Sequence, residues 1–389
     1  MNITFFSNYF NHHQFSLSEE LNKRTTNYKF VSTKEMGDHR KSLGYVKNNR
    51  SEYVIELHKS SNKTEKTKEI IDETSVFIGG SAPENILHKC IKTNRLFFRY
   101  SERPFKKESS ILYFFKMFIK ERIKNPMSKP IYMLCASAYT PLDYSRLFLF
   151  KNRTYKWGYF PKAKIYDIDA LITEKKSAEI LWCGRFINWK HPDDAIKAIS
   201  RLKKDGYNVL LKFIGTGDME SQLKNMIKEY DTEENVVFLG SMSPEEVREH
   251  MERSGIYLFT SDKQEGWGVV LNESMNSGCA VIASHLIGSV PFLINNNENG
   301  LVYESGNIDM LYEKIKFLLD NPEIQQKLGK NAYKTIITEW NAEVAAERFL
   351  NLTQHILNGE HYPDLYKNGP CSKAEIIKED WLKKEKERI

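Results

Sequence analysis

Short apolar runs alternate with amphipathic stretches throughout the second half of the chain. Apolar runs of about five residues predict buried strands, and apolar positions spaced three or four residues apart predict helices. The predicted strands are Val209–Ile214, Val236–Leu239, Ile256–Thr260, Cys279–Ala283 and Leu301–Tyr303. The predicted helices are Pro192–Lys204, Met219–Tyr230, Pro244–Arg253 and a short one near Gly288–Leu293, followed by helices through Ile337. The short loops between these elements predict a parallel, doubly wound α/β sheet with right-handed crossovers.

The first half of the chain shows similar strands. They are Ile3–Tyr9, Ser75–Gly80, Leu96–Tyr100 and Ile131–Ser137, with a loop over Asn11–Gln14 and a helix that begins at Phe15. A chain of 389 residues suits two α/β domains rather than one. We predict a first domain over residues 1–168 and a second over 169–340. Residues 341–389 are predicted to form a helix, Asn341–Leu357, that crosses back to the first domain, and a charged tail on or near that domain.

Two carboxylates, Glu265 and Glu273, flank a turn that contains two glycines. An apolar strand precedes this turn, and a helix that ends at Gly278 follows it. The first amides of that helix lack intrahelical partners and favour an anion such as phosphate. Because carboxylates repel phosphate, we expect both glutamates to accept hydrogen bonds from hydroxyl groups on either side of the anion. A ligand with sugar, diphosphate and ribose in series fits this arrangement.

A second strand, loop and helix carries two cations. The strand that begins near Glu179 ends at Gly-Arg, so that Arg185 and then Lys190 precede a helix beginning near Pro192. Open α/β sheets bind ligands at the carboxyl ends of their strands. Arg185 and Lys190 are therefore candidate ligands for the anion, the alternative being two cations on a solvated loop.

These two segments resemble the E-x7-E and G-R-x4-K motifs of retaining glycosyltransferases with the GT-B fold, in particular glycosyltransferase family 4 (glycosyl transferases group 1). The resemblance implies two Rossmann-like domains that face a cleft. It implies that Glu265 contacts the donor sugar, that Glu273 holds the ribose hydroxyls, and that Arg185 and Lys190 neutralise the diphosphate. The donor-binding residues implied between the glutamates are Gly266, Trp267, Gly268, Val269 and Val270. His191 stands where the family usually has glycine.

Two further loops are implied to approach the donor. The run from Gly215 to Asp218 predicts a strand exit and a helix cap, and it lacks the third glycine of a dinucleotide fingerprint. By resemblance this loop contacts the donor at Gly217, and the backbone near Met242 meets the nucleobase. Ser243 and Glu246 fit a capping box, which is compatible with that role.

Polar residues follow two strands of the first domain. His12, His13 and Gln14 come after the first strand, and Glu102 and Arg103 come after Leu96–Tyr100. By the same sheet rule we predict that these residues line the acceptor side of the cleft. The alternatives are a histidine that caps or packs, and a surface ion pair of Glu102 with Arg103.

Lysine and arginine alternate with large apolar residues between Phe105 and Pro130. As a helix, this segment has an apolar face and a basic face, a pattern typical of a helix at a membrane surface. The alternative is a core helix with a solvated basic side, and a net charge of +6 does not decide between them. The charged tail after Cys371 is likewise either solvated or membrane-facing.

Composition excludes several other classes. The five cysteines are isolated, which favours a reduced cytoplasmic setting over disulfides or zinc. The residues from Met1 to Phe6 predict a strand rather than a signal peptide, and no apolar run approaches the length of a membrane span. Asp167 and Asp169 form a D-x-D sequence where we expect the interdomain linker, so we expect no metal there.

The resemblance therefore implies a hexosyltransferase-type enzyme. It would move a sugar with retention from a nucleotide sugar, with UDP favoured, to a hydroxyl of a glycan or lipid-linked saccharide in bacterial cell-surface polysaccharide synthesis. We expect no cofactor, no nucleic-acid partner, and a cytoplasmic location, with contact to an anionic membrane left open. The alternatives are a sugar-nucleotide epimerase on the same fold and a non-catalytic module that binds a nucleotide sugar or a membrane.

Overall fold

A computed structural model describes residues 1–37, 51–106 and 110–386. The chain forms two compact units. The first contains Met1–Lys162 and Trp340–Lys378, and the second contains Ala163–Glu339 and Glu379–Ile389. The first passage between the units therefore precedes the predicted boundary at residue 168. The end of the chain belongs to the second unit, whereas we expected the whole tail near the first.

The first unit is built on a parallel sheet. Its strands are β1 (Asn2–Ser7), β2 (Asn27–Ser32), β3 (Val54–Glu56), β4 (Val76–Gly79), β5 (Leu96–Ser101), β6 (Ile131–Cys135) and β7 (Thr154–Lys156). In the described residues their order is β3-β2-β1-β4-β5-β6-β7, so the direction of winding reverses between β1 and β4. The central strands are apolar on both faces because helices cover both sides of such a sheet.

The helices of the first unit alternate with these strands. They are α1 (His12–Arg24), α2 (Lys63–Glu73), α3 (Glu84–Lys92), α4 (Ile111–Lys124) and α5 (Thr140–Arg146), with a 3-10 turn at Leu57–Lys59. Helix α1 begins at His12, so the predicted loop over residues 11–14 is wrong. The side chain of Asn11 accepts a hydrogen bond from the His13 amide at 3.0 Å and caps the helix.

The second unit repeats the same design. Its strands are β8 (Lys176–Cys183), β9 (Leu210–Ile214), β10 (Val236–Phe238), β11 (Ser254–Phe259), β12 (Ala280–Ser284) and β13 (Leu301–Tyr303), in the parallel order β10-β9-β8-β11-β12-β13. Its helices are α6 (Ile168–Glu174), α7 (Pro192–Lys204), α8 (Glu220–Glu229), α9 (Pro244–Arg253), α10 (Val270–Asn276), α11 (Val290–Leu293), α12 (Ile308–Asp320) and α13 (Pro322–Thr338), with a 3-10 turn at Asn188–Lys190. The bounds predicted for α7 and α9 are confirmed. No side chain caps α8, whose N-cap is Met219, so the helix cap predicted within residues 215–218 is wrong.

The last two helices belong to different units. Helix α14 (Ala342–Leu357) packs in the first unit, where the Phe349 ring lies 4.9 Å from that of Phe98 and 5.8 Å from that of Trp157. This confirms the predicted return of the chain to the first unit. Helix α15 (Trp381–Lys386) belongs to the second. None of the helices in the described ranges is long and apolar enough to cross a bilayer.

Candidate active site

The candidate site lies at the carboxyl ends of β8 and β11, the neighbouring strands between which the winding of the second unit reverses. Doubly wound sheets bind ligands at such a switch point, because the loops on either side diverge and leave a crevice. The loops after β8 and β9 approach closely there. A Cβ on Gly215, whose φ is +132°, would lie 1.9 Å from the carbonyl oxygen of Gly184. Glycine at position 215 is therefore required by the approach of two loops.

An ion pair joins the two motifs found in the sequence. The Nζ of Lys190 lies 2.5 Å from Oε2 of Glu265, and their side chains are 13% and 12% exposed. The hydroxyl of Ser261 donates to the same carboxylate oxygen at 3.2 Å. The hydroxyl of Thr260 donates to the Lys190 carbonyl at 2.7 Å and so fixes the loop that carries the lysine. The edge of the sheet thus holds a carboxylate and an ammonium group in direct contact.

Arg185 supplies a second positive charge at this edge. Its side chain is exposed, and within the described ranges its guanidinium makes no ion pair or hydrogen bond. A guanidinium presents five donors in a plane and pairs well with phosphate oxygens. Arg185 is therefore available to an anionic ligand, whereas Lys190 already has a carboxylate partner.

The turn before α10 presents backbone donors to the same edge. Gly268 has a φ of +78°, and a Cβ there would lie 2.2 Å from Cζ of Phe259, so the turn requires glycine. The amides of Gly268, Val269 and Val270 donate no hydrogen bond to any residue that the structure describes. Consecutive unpaired N–H groups favour an anion. Gly266, just before them, is buried.

The side chain of Trp267 has a structural role. The indole is buried, and its Nε1 donates to Oδ1 of Asn272 at 2.8 Å. The Trp267 carbonyl accepts a hydrogen bond from the hydroxyl of Ser289. The ring therefore anchors the turn to the core, and a ligand at this edge can contact Trp267 through its backbone only.

Glu273 is half-buried in the first turns of α10. Burial raises the pKa of its carboxyl group, an effect that the nearby Arg248 guanidinium opposes. The carboxylate accepts no hydrogen bond from a residue in the described ranges, whereas the Glu273 carbonyl accepts from Nη1 of Arg248 at 3.3 Å and from the Ser277 hydroxyl at 2.9 Å. A desolvated carboxylate without a protein donor gains most from ligand hydroxyls. Arg248, which sequence reasoning missed, holds the helix that carries it.

His191 follows the G-R-x4-K-like segment, where the motif that it resembles usually has glycine. Its φ is +48°, in the left-handed region that glycine adopts at lowest cost. Its Nε2 lies 3.5 Å from Oδ2 of Asp262, and this contact raises the pKa of His191. The amide of Asp262 donates to the Trp189 carbonyl at 2.9 Å and ties the two loops together. The position of Asp262 just after a strand was the only sequence signal for it.

Gly217 and Met242 lie on the loops that follow β9 and β10, at the same edge of the sheet. A Cβ on Gly217 would lie 2.5 Å from the carbonyl oxygen of Phe186, so glycine lets its loop pack on the loop after β8. Met242 is half-buried directly before α9. The capping box is confirmed, because Ser243 and Glu246 exchange both side-chain to backbone hydrogen bonds.

The candidates in the first unit fall into two groups. The rings of His12 and His13 lie 3.7 Å apart, and burial lowers the pKa of His13 well below its ordinary value, with the charge of His12 acting in the same direction. The His13 ring is 6.5 Å from that of Tyr159, whose hydroxyl donates to Oε1 of Glu102 at 3.2 Å. Gln14 is buried beside them in the first turn of α1. The structure thus brings His13 and Glu102 to one cluster through Tyr159.

Arg103 has a different place. Its Nη2 lies 3.0 Å from Oδ1 of Asp143, its Nε lies 3.2 Å from Oδ2, and both side chains are almost fully buried. The guanidinium also lies 5.1 Å from the centre of the Tyr139 ring. The prediction that Arg103 lines the acceptor side is therefore wrong, because its guanidinium is buried against Asp143. The alternative, a surface pair of Arg103 with Glu102, is not seen either, since Glu102 pairs with Lys106.

The acidic residues considered for metal binding have structural partners. Asp167 caps α6 by accepting from the Ala170 amide at 3.2 Å, and Asp169 pairs with Lys330 at 2.5 Å. In the described ranges one group of side chains could hold a cation by geometry, namely His191, Asp193 and Asp194. The ammonium of Lys197 already lies 2.6 Å and 3.3 Å from those two aspartates.

Comparison with known proteins relates the second unit to glycosyltransferases. Residues 167–335 match the family Glycosyl transferases group 1. An uncharacterized glycosyltransferase of Haemophilus influenzae is 28% identical over 43% of this chain and 49% of its own. An N-acetylgalactosamine-N,N'-diacetylbacillosaminyl-diphospho-undecaprenol 4-alpha-N-acetylgalactosaminyltransferase of Campylobacter jejuni is 31% identical over 41% of this chain and 42% of its own. The chain thus spans about half the length of these relatives.

The fold is also that of solved glycosyltransferase structures. The Anabaena protein HepE, whose crystal structure is a complex with UDP, matches with a TM-score of 0.65 at 14% identity, over 92% of this chain and 99% of its own. The predicted GT-B class, two Rossmann-like α/β units, is confirmed.

Proposed function

We propose that this protein is a retaining glycosyltransferase of family 4 that transfers a sugar from a UDP-sugar to a hydroxyl group of a glycan or lipid-linked saccharide. One observation carries the proposal: two carboxylates, two cations and unpaired backbone amides lie on the segments that follow β8 and β11. They are Glu265 and Glu273, Arg185 and Lys190, and the amides before α10. We assign the sugar to Glu265, the diphosphate to the cations and amides, and the ribose to Glu273. UDP is supported by the nucleotide in the HepE complex. A lipid-linked acceptor is supported by the Campylobacter relative.

The chemistry depends on stabilising the leaving group. Breaking the bond between the anomeric carbon and the donor oxygen leaves negative charge on the diphosphate. Arg185, Lys190 and the amides near Gly268 would meet that charge, and electrostatic stabilisation of this kind contributes several kcal/mol to catalysis. No residue of the second unit has to act as a covalent nucleophile in this scheme.

The ion pair of Lys190 and Glu265 suggests how the sugar and the diphosphate are coordinated. With donor present, the lysine would lie between the carboxylate and the diphosphate and would share its charge between them. Glu265 would then accept hydrogen bonds from sugar hydroxyls and orient the anomeric carbon. Attack of the acceptor hydroxyl on the face that the diphosphate leaves would give retention.

We further propose that the cluster of His13, Tyr159 and Glu102 in the first unit recognises the acceptor. A half-buried imidazole, a phenol and a carboxylate can exchange hydrogen bonds with sugar hydroxyls, and the lowered pKa of His13 favours its neutral ring. Arg103 has no part in this proposal, because its charge is taken by Asp143.

The proposal includes no metal ion, because arginine, lysine and backbone amides match the charge of the diphosphate. Turnover should therefore persist when divalent cations are removed with EDTA. Loss of turnover in EDTA, with recovery on addition of Mn²⁺ or Mg²⁺, would contradict this part of the scheme and direct attention to His191 and its neighbouring aspartates.

A panel of nucleotide sugars tests the function as a whole. We expect one UDP-sugar to raise the melting temperature and to be hydrolysed slowly to UDP in the absence of acceptor. Epimerised nucleotide sugar as the product would favour the epimerase alternative. Binding without any turnover, including in the presence of lipid-linked saccharides, would favour a non-catalytic module. Absence of stabilisation by every nucleotide sugar would refute the proposal.

A further inference from the structure

Helix α4 turns its apolar side away from the core of the first unit. Its exposed apolar residues are Ile111 (73% exposed), Leu112 (77%), Phe115 (57%), Ile119 (60%) and Ile123 (63%). Residues 111, 115, 119 and 123 are spaced by four and therefore form one continuous stripe along the helix. A helix on the surface of a soluble domain normally buries such a stripe. We call these five residues the α4 stripe.

The inward face of α4 is polar and fixes the orientation of the helix. Glu121 is buried there, and its Oε2 lies 3.3 Å from the Tyr144 hydroxyl. Asn125, at the end of the helix, donates to the Glu121 carbonyl at 3.0 Å and accepts from Nε of Arg99 at 3.0 Å. Met117 is the buried apolar residue of this face. Rotating the helix to bury the stripe would break this network, so the exposure of the stripe is built into the unit.

The exposed charged side chains of α4 are all cationic. Lys116 and Lys120 are exposed and make no ion pair within the described ranges. Arg122 is exposed as well, and its guanidinium lies 5.1 Å from the centre of the Phe118 ring. Glu121 is the sole acidic residue of the helix, and it faces inward. The outward surface of α4 is therefore apolar and cationic, with no anion of its own.

We propose that the α4 stripe, together with Lys116 and Lys120, is a docking surface for an anionic lipid bilayer. The stripe would enter the boundary between headgroups and acyl chains, while the lysines contact anionic lipid phosphates at the rim. A second copy of the chain fits less well, because pairing two such surfaces would bring like charges together. The proposal goes beyond the proposed function and does not depend on it, since the surface uses no residue of the candidate active site.

Two variants separate the apolar and the electrostatic parts of this surface. Phe115→Ser combined with Ile119→Ser should weaken binding to anionic vesicles by about 100-fold, because the side chains that enter the bilayer are lost. Lys116→Gln combined with Lys120→Gln should weaken it by about 30-fold, from roughly 1 kcal/mol for each charge near an anionic surface. All four side chains are partly or fully in solvent, so the fold should be retained.

The matched controls change the same residue types elsewhere in the first unit. Lys63→Gln with Lys68→Gln removes two exposed lysines from α2, and Leu357→Ser removes an exposed apolar side chain from α14. Binding is measured by flotation with phosphatidylcholine vesicles that contain, or lack, phosphatidylglycerol, at low and at physiological salt. We expect binding to phosphatidylglycerol vesicles by the wild type and both controls, a loss in both α4 variants, and unchanged hydrolysis of the donor in all.

Three results would overturn the proposal. The first is a wild-type protein that ignores phosphatidylglycerol vesicles at low salt. The second is a control that loses binding as much as the α4 variants do. The third is a concentration-dependent dimer that the Ser variant abolishes without any effect on vesicles, which would identify an interface between copies. If the Ser variant fails to fold, Phe115→Trp decides, because a tryptophan inserted in the bilayer is quenched by brominated acyl chains and one in solvent is not.

Discussion

Replacing Glu273 by glutamine should have opposite effects on nucleotide binding and on stability. Its carboxylate is desolvated, accepts no hydrogen bond from the described residues, and has a raised pKa because of burial. In the proposed complex it accepts hydrogen bonds from the ribose hydroxyls. The variant loses the charge but retains a neutral acceptor of the same shape, so it tests the charge and not the packing.

The expected magnitude follows from the hydrogen bonds at stake. A hydrogen bond to a charged group contributes about 1.5–3 kcal/mol, so losing the charge-assisted part should raise the Kd for UDP by roughly 10-fold, and Glu273→Ala by up to about 100-fold. Stability should move the other way. A carboxyl whose pKa is raised on folding makes the fold less stable as pH rises from the ordinary pKa through the raised one. At neutral pH the Gln variant should therefore melt at a higher temperature than the wild type, and the difference should vanish in acid.

Calorimetric titration with UDP and thermal melts between pH 4 and pH 8 check both effects. Glu245→Gln is the matched control, because Glu245 is an exposed carboxylate whose charge is felt at Glu273. The control should leave the Kd nearly unchanged. An unchanged Kd for UDP in a folded Glu273→Gln variant would remove Glu273 from the nucleotide site. A variant that melts below the wild type at neutral pH would refute the desolvation argument.

Other residues give equally direct predictions. Arg185→Ala and Lys190→Ala should each lower kcat by at least about 100-fold with a smaller effect on UDP affinity, because they act on the leaving group; near-wild-type turnover at saturating donor would contradict this. His191→Gly removes a left-handed residue that costs about 1 kcal/mol. Because the pKa of His191 is raised in the fold, its ion pair stabilises the protein below the ordinary histidine pKa and is lost as pH rises through the folded value. The free energy of unfolding of the variant, measured in urea, should therefore rise relative to that of the wild type between pH 5 and pH 9. A fall over this range would refute the argument. Asp143→Ala should lower the free energy of unfolding by roughly 3–5 kcal/mol, because it removes the buried carboxylate that pairs with the Arg103 guanidinium; a loss below about 1 kcal/mol in urea unfolding would contradict this.

The hydrophobic periodicity of the sequence predicts the elements correctly wherever strands and helices alternate with short loops. The bounds of Pro192–Lys204 and Pro244–Arg253 were predicted residue for residue, because a proline in the first turn marks where each helix begins. The start of α1 is not predicted, since two histidines carry no apolar signal and the cap is a single hydrogen bond from the His13 amide to the Asn11 side chain. The helix cap predicted within residues 215–218 is wrong, because the N-cap is Met219, which makes no side-chain cap, and Gly217 packs on the backbone of Phe186.

The two-unit α/β plan and the order of candidate groups along the second unit follow from spacing along the chain, and Gly268 and the two glutamates lie within nine residues of one another. Which charges are available to a ligand depends instead on partners far apart in sequence, and these are seen only in the folded protein. Arg103 forms an ion pair with Asp143 and Lys190 forms one with Glu265, whereas Arg185 has no such partner in the described ranges. The orientation of α4 also depends on distant partners, because its composition is compatible with burial of either face. Glu121 and Asn125 bond inward, and that contact leaves the apolar stripe in solvent.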